Sequence, residues 1–201
     1  MKRNITTLFL LLLLSAPKLW AMPIDSIFAN LRISELSLLT KNDRLDLLDY
    51  ANCGQEASVE NQCMGRTKLT QKSSNHIHLS MTEVHDVTLL LLPHLAHDTI
   101  VCVISTLHRP IEQSVVHSYT LLGQSLEAPP CVPTLDDFLV TVHQTPAGVL
   151  LPVKMVYDEA HHTFPCELSL KHLPLETQKK YEGKFPKLVY RWSDKGFVRE
   201  E

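Results

Sequence analysis

No CxxC pair occurs in this chain, nor an HExxH segment, a CxxC with HxxxH, or a GxSxG elbow. Each absence removes a class of chemistry. Without CxxC a thioredoxin-type redox centre has no support. Without the zinc signatures no recognised zinc motif is present. Without the elbow, the strained turn that presents a hydrolase serine is missing. A basic excess is lacking too: 19 Lys and Arg stand against 22 Asp and Glu, so nucleic acid has no electrostatic footprint to meet. No repeat of fixed period and no low-complexity tract follows the N-terminal segment. No apolar run reaches the roughly 20 residues that a spanning helix needs.

What is present begins at the N-terminus, which is expected to be processed. Lys2 and Arg3 form a positive region, Ile5 to Leu14 an apolar one with two threonines, and Ser15, Ala16 and Ala21 supply small residues. This pattern predicts a secretory signal peptide over residues 1–21, cut after Ala21 although Leu19 at the third position before the cut is not small. No cysteine lies near the cut, which argues against a lipid-modified N-terminal cysteine. The mature chain is then expected in the periplasm or outside the cell, with no transmembrane segment. Losing Lys2, Arg3 and Lys18 takes the formal charge from −3 to −6 with histidine neutral. The remaining stretch of about 180 residues suits one domain, 22–201, with a possible sub-division near 128–134. A 44% hydrophobic content argues against disorder.

The best-specified segment is Leu38 to Tyr50. Thr40 is placed as an N-cap with Asp43 three residues on, Leu45, Leu48 and Ala51 line one face widened by Leu47, and Gly54 stands where a left-handed cap would end the helix. Ile24, Ile27, Phe28 and Leu31 repeat as a second amphipathic helix. Beyond Gly54 the period becomes two. Strands are expected over Ser58–Met64 and Arg66–Gln71 around Gly65, over His76–Thr82, Val84–Leu92 and Thr99–Leu107, the last placed centrally, and over Ser114–Leu122. Short connections make this an antiparallel meander. Ala128 to Thr134 is a proline-rich connector, and Thr134 with Asp137 starts a short helix. A hairpin follows over Leu150–Tyr157 and Thr163–Leu170. Then come a helix from Pro174 to Tyr181, a strand Leu188–Trp192 and a turn at Ser193–Gly196. The fold class is α+β: an N-terminal helical pair on an antiparallel meander sheet, with a smaller C-terminal strand–helix–strand portion.

Five cysteines remain, an odd number, so at least one is unpaired within a monomer. Cys102, inside an apolar strand, reads as an inert core thiol. Cys53 and Cys63 are close enough in sequence to bridge the helix end and the first strand. Cys131, Cys166 and His143 could form a thiol–imidazole pair, yet no segment supplies the paired context, and Cys131 beside prolines reads as structural. Among eleven histidines, His76 and His78 share one strand face, expected to be the outer one, at a spacing that can chelate a divalent ion. His94, His97, His161 and His162 sit in turns. Exposed histidines on a polar face are more often plain surface. Asp43, Asp46 and Asp49, then Asp136 and Asp137, are read as structural acids, with Arg44 and Asp49 able to tie the helix to the sheet. No catalytic, cofactor-binding or metal-binding residue is assigned, and no cofactor is implied.

One sequence of pieces carries a likeness. It runs from Leu-Leu-Thr and Asp43-Arg-Leu-Asp-Leu-Leu-Asp-Tyr50 through Asp98-Thr-Ile-Val-Cys-Val-Ile-Ser-Thr106 and Pro133-Thr-Leu-Asp-Asp-Phe138 to Tyr190-Arg-Trp192. This order resembles a family of uncharacterised exported proteins of Bacteroidales bacteria, a family defined by a domain of unknown function. The resemblance implies an exported α+β protein and brings no substrate, cofactor or catalytic residue. This chain carries more histidine and cysteine than such a protein is expected to have. The functional expectation is therefore a non-enzymatic binding or cell-envelope-associated module, partnered by an unknown protein or envelope component. The alternative is a small exported hydrolase or metal-dependent enzyme using His76 and His78.

Overall fold

The capped helix forms as its sequence directs. In the computed structural model, which describes residues 23–127, 132–139 and 150–200, helix α2 spans Lys41–Asn52. The Thr40 Oγ1 accepts the Asp43 N–H at 3.2 Å while the Asp43 carboxylate accepts the Thr40 N–H at 2.7 Å, a complete capping box. At the other end Gly54 takes φ +69°, donating to Ala51 O, and Gln55 N–H donates to Tyr50 O, the paired bonds of a Schellman ending. Helix α1, Ile24–Asn30, buries Ile24, Ile27 and Phe28 against α2 and the sheet, and a single 3₁₀ turn at Ser34–Leu36 joins the two helices.

One detail of α2 departs from its apolar pattern. Leu45 is 39% exposed, whereas Leu47, Leu48 and Arg44 face inward. The Arg44 guanidinium donates to the carbonyls of Phe28 at 3.1 Å and of Leu31, where α1 ends. It binds helix to helix rather than helix to sheet. A long cation that caps two orphan carbonyls is worth an inward position that periodicity alone gives to leucine.

Six strands follow as a meander in sequence order: β1 (Ser58–Glu60), β2 (Arg66–Lys72), β3 (His76–Thr82), β4 (His85–His94), β5 (Asp98–Leu107) and β6 (Gln113–Tyr119), all antiparallel. The expected strand 58–64 stops at Glu60. Buried Asn61 takes over there, its carbonyl oxygen accepting from Cys63 N–H and Gly65 N–H and its amide donating to Met81 O. Strand β5 is next to the edge rather than central, yet Ile100 to Ile104 are all buried because both faces are covered.

Covering on both faces, which the apolar run Leu89–Leu92 signals at the end of β4, extends across β3, β4 and β5. On one face Ile77, Leu79, Met81, Val87, Leu89, Val101 and Val103 pack under α1 and α2. On the other, Leu90, Leu92, Ile100, Cys102, Ile104 and Val116 pack against a second sheet. That sheet holds β7 (Val153–Met155), β8 (Thr163–Leu168), β9 (Leu188–Ser193) and β10 (Gly196–Arg199) in the order β10-β9-β8-β7, and contributes Phe164, Cys166, Leu188, Tyr190 and Phe197. Short helices α3 (Leu135–Leu139) and α4 (Leu175–Tyr181) accompany it, α3 through Phe138 in the shared core. The turn expected at Ser193–Gly196 is a hairpin whose return strand, β10, the sequence reading lacked. Residues 1–21, Pro129, Pro130, Cys131 and His143 lie outside the described residues, as does most of the expected connector 128–134.

The layers are joined by few but specific bonds. Ser114 Oγ on β6 donates to Met155 O and accepts Met155 N–H on β7. Glu112, in the β5–β6 connection, receives Lys154 at 2.8 Å and Lys171 at 2.9 Å. Trp192 Nε1–H donates to Pro93 O at 2.7 Å. Among the described residues no helix is long and apolar enough to cross a membrane.

Candidate functional site

Strand register builds a polar patch at one end of the covered face. His78 pairs with Thr88 and Ser80 with Asp86 across β3–β4, and Asp86 pairs with Thr106 across β4–β5, so these side chains share a face. Lys154 and Met155 of β7 and Tyr157 just beyond it lean over the patch, enclosing a cleft of about 220 Å³. Inside it, His108 Nε2 lies 2.8 Å from Asp86 Oδ2 and His78 Nε2 lies 3.8 Å from the same oxygen. The Nδ1 atoms face outward from this meeting point. That of His78 is 2.8 Å from Thr88 Oγ1, and that of His108 is 3.6 Å from Glu112 Oε1.

His76 and His78 were expected together on an outer face. They do share the face, but it is roofed, and they do different things. His76 is 1% exposed, packs edge-on against the Tyr157 ring at 5.0 Å and points Nδ1 at Glu159 Oε2, 3.5 Å away, with no hydrogen bond made there. Burial lowers its pKa below the usual 6.5, against the pull of Glu159. Burial likewise lowers that of His78, opposed by Asp86 and reinforced by His108. Glu112 goes the other way from what burial would do. Its two lysines overcome desolvation and hold it down at about 2.

The remaining candidates disperse. His94 and His97 stack on each other in the β4–β5 turn. His161 pairs with Asp158 and His162 with the Tyr157 hydroxyl in the β7–β8 turn. Asp43 caps α2, Asp137 binds Thr134 N–H at the start of α3, and Asp46, Asp49 and Asp136 are exposed. Cys166 is buried, bonds Phe164 O and is pushed by burial up to about 12, as is Cys102, so neither is an available nucleophile. Cys53 and Cys63 are exposed free thiols rather than a bridge. Among the described residues no group of three or more His, Cys, Asp or Glu is arranged to hold a metal ion.

Sequence reasoning missed Asp86, His108 and Glu112. The available signal was polar residues interrupting the ends of otherwise apolar strands, at His85-Asp86 and at Thr106 to His108. It also missed Glu35, whose buried carboxylate takes hydrogen bonds from Tyr119, His117 and Ser34 and so ties the 3₁₀ turn to β6. Burial would raise the Glu35 pKa, but those hydrogen bonds keep it below 4.5, and burial beside Glu35 pushes Tyr119 up to about 12.

A second, larger concavity of about 670 Å³ opens on the helix side of the molecule. Ile24 and Ile27 of α1, Leu91 and Pro93 of β4 and Leu121 beyond β6 form its apolar walls. Asp25 and Lys72, paired at 2.9 Å, stand on its polar rim.

Helical pair, meander and second sheet together define an α+β protein. The chain belongs to the family described as "Protein of unknown function (DUF3256)", whose profile matches residues 16–197. A solved structure of a domain of an uncharacterized protein from Porphyromonas gingivalis W83 shares the fold, with a TM-score of 0.69 at 22% identity over 88% of this chain and 97% of that one. A search of curated proteins gave no match.

Proposed function

We propose that this chain is exported and that its mature form is a non-enzymatic binding module of the cell envelope, docking an apolar segment of its partner in the α1–β4 groove. The groove carries the reading. Its volume lies in the range of ligand sites, and Ile24, Ile27, Leu91, Pro93 and Leu121 give it an apolar side that faces the polar residues Asp25, Lys72, Ser73, Ser74, Asn75 and Thr99. Export rests on the positive, apolar and small-residue regions of residues 1–21. Intact-mass measurement on protein from the native envelope tests export, with a chain starting at Met22 expected and a species retaining Met1 refuting it. Titration with the apolar dye anilinonaphthalene sulfonate tests the groove. Dye binding should be saturable and should fall at least tenfold in Ser74→Trp, which puts an indole on the exposed groove wall. Equal binding by both proteins would overturn the docking surface.

The imidazole–carboxylate contact of His108 and Asp86 favours a second reading, a small hydrolase or metal-dependent enzyme working in the polar cleft. Metal analysis of untagged protein separates the two. Stoichiometric zinc lost in His78→Ala would support the enzyme.

A further inference from the structure

The polar cleft holds a carboxylate that pairs with no lysine or arginine among the described residues. Asp86 is 23% exposed at its side chain, spends Oδ2 on His108 and, among the described residues, takes no hydrogen bond at Oδ1. Lys154, which also lines the cleft, is spent on Glu112 instead. Two further acceptors reach the same space. His78 Nε2 is too far from Asp86 to bond it, and with the proton on Nδ1, donated to Thr88 Oγ1, its lone pair faces the cleft. The exposed Gln71 amide also lines the cleft and makes no side-chain hydrogen bond among the described residues. We propose that this cleft binds a primary ammonium group, with Asp86, His78 Nε2 and the Gln71 carbonyl each accepting one of its three N–H bonds.

Count, charge and size agree on that ligand. An ammonium has three donors and no acceptor, the complement of three free acceptors around one negative charge. The Tyr157 ring lines the same space, and a tyrosine ring attracts a cation. Burial keeps His78 in its neutral form near pH 7, so its lone pair is available. About 220 Å³ admits a small amine and excludes a folded partner. A structural ion pair would account for the His108–Asp86 contact but not for three acceptors left open in one cleft. A divalent ion would want the same atoms, yet among the described residues no three His, Cys, Asp or Glu groups are arranged to hold one.

Calorimetric titration of the mature chain with n-butylammonium tests the proposal, independently of the apolar groove. Saturable binding is expected. It should be at least tenfold weaker in Asp86→Asn and unchanged in Glu167→Gln, a β8 carboxylate that pairs with Lys187 instead. Tetramethylammonium, which cannot donate a hydrogen bond, should also bind at least tenfold more weakly. Gln71→Glu, at an exposed position, should tighten n-butylammonium several-fold, and it decides the matter should Asp86→Asn fail to fold. Absence of saturation, equal binding by Asp86→Asn or by tetramethylammonium, or stoichiometric displacement of the amine by zinc would each overturn the proposal.

Discussion

Glu112 should make this protein acid-sensitive in one specific window. Its side chain is 6% exposed and bridges Lys154 of β7 and Lys171 beyond β8 to the β5–β6 connection, so it joins the two sheets. Held at about 2 rather than 4.5, it binds its proton about 2.5 units later when folded than when unfolded. At about 1.36 kcal/mol per unit that is about 3 kcal/mol. Lys171 is largely in water, and screening there brings the expected figure to about 2 kcal/mol. The carboxylate's pKa is depressed by folding, so its contribution is complete above about pH 4.5 and disappears as pH falls towards 2. Urea melts of wild type and Glu112→Gln at pH 7, 4, 3 and 2 read this directly. The wild type should exceed the variant by about 2 kcal/mol at pH 7, and the gap should narrow steadily below pH 4.5. A gap of the same size at pH 7 and pH 2 would mean that the Glu112 charge is not what matters, and the argument from its two lysines would fail.

Other substitutions probe the helical layer. Leu48→Ala should cost about 2–5 kcal/mol, Thr40→Ala about 1 kcal/mol and exposed Asp46→Ala less than about 0.5 kcal/mol, an order that urea melts check. Arg44→Met should cost about 2–3 kcal/mol in the same assay, because two buried carbonyls at the end of α1 lose their donor. Gly123 has φ +84°, and an added Cβ would stand 2.9 Å from the Arg32 carbonyl oxygen. Gly123→Ala should therefore lower the melting temperature by several degrees, equivalent to at least about 1 kcal/mol.

Helix α2 and the meander were legible because their signals are local. A capping pair and a glycine mark the ends of α2, and alternation in Ile77, Leu79 and Met81 identifies one apolar face of β3. Alternation says nothing, however, about what covers the opposite face. His76 and His78 pass for outer residues in the sequence because the strands that roof them lie some eighty residues later in the chain. The exchange of Leu45 for Arg44 escaped for a related reason. Periodicity sorts side chains by polarity, whereas the choice here depended on carbonyls left open by a different helix. Asp86 and His108 meet only through the register of three strands, a relation that spacing along the chain does not encode.

The bond from Trp192 to Pro93 gives the molecule a built-in optical reporter. The chain has two tryptophans, and the other is Trp20, so a chain lacking residues 1–21 emits from Trp192 alone. Its indole donates across the seam to the end of β4 and stands edge-on to Phe197 at 5.1 Å. Any separation of the two sheets would strip that indole of its carbonyl partner and hydrate it, shifting emission to the red. Circular dichroism would meanwhile follow the backbone of the whole fold. Coincident curves from the two signals would mean that both sheets are lost in a single cooperative step, and an early red shift that the outer sheet lifts away first.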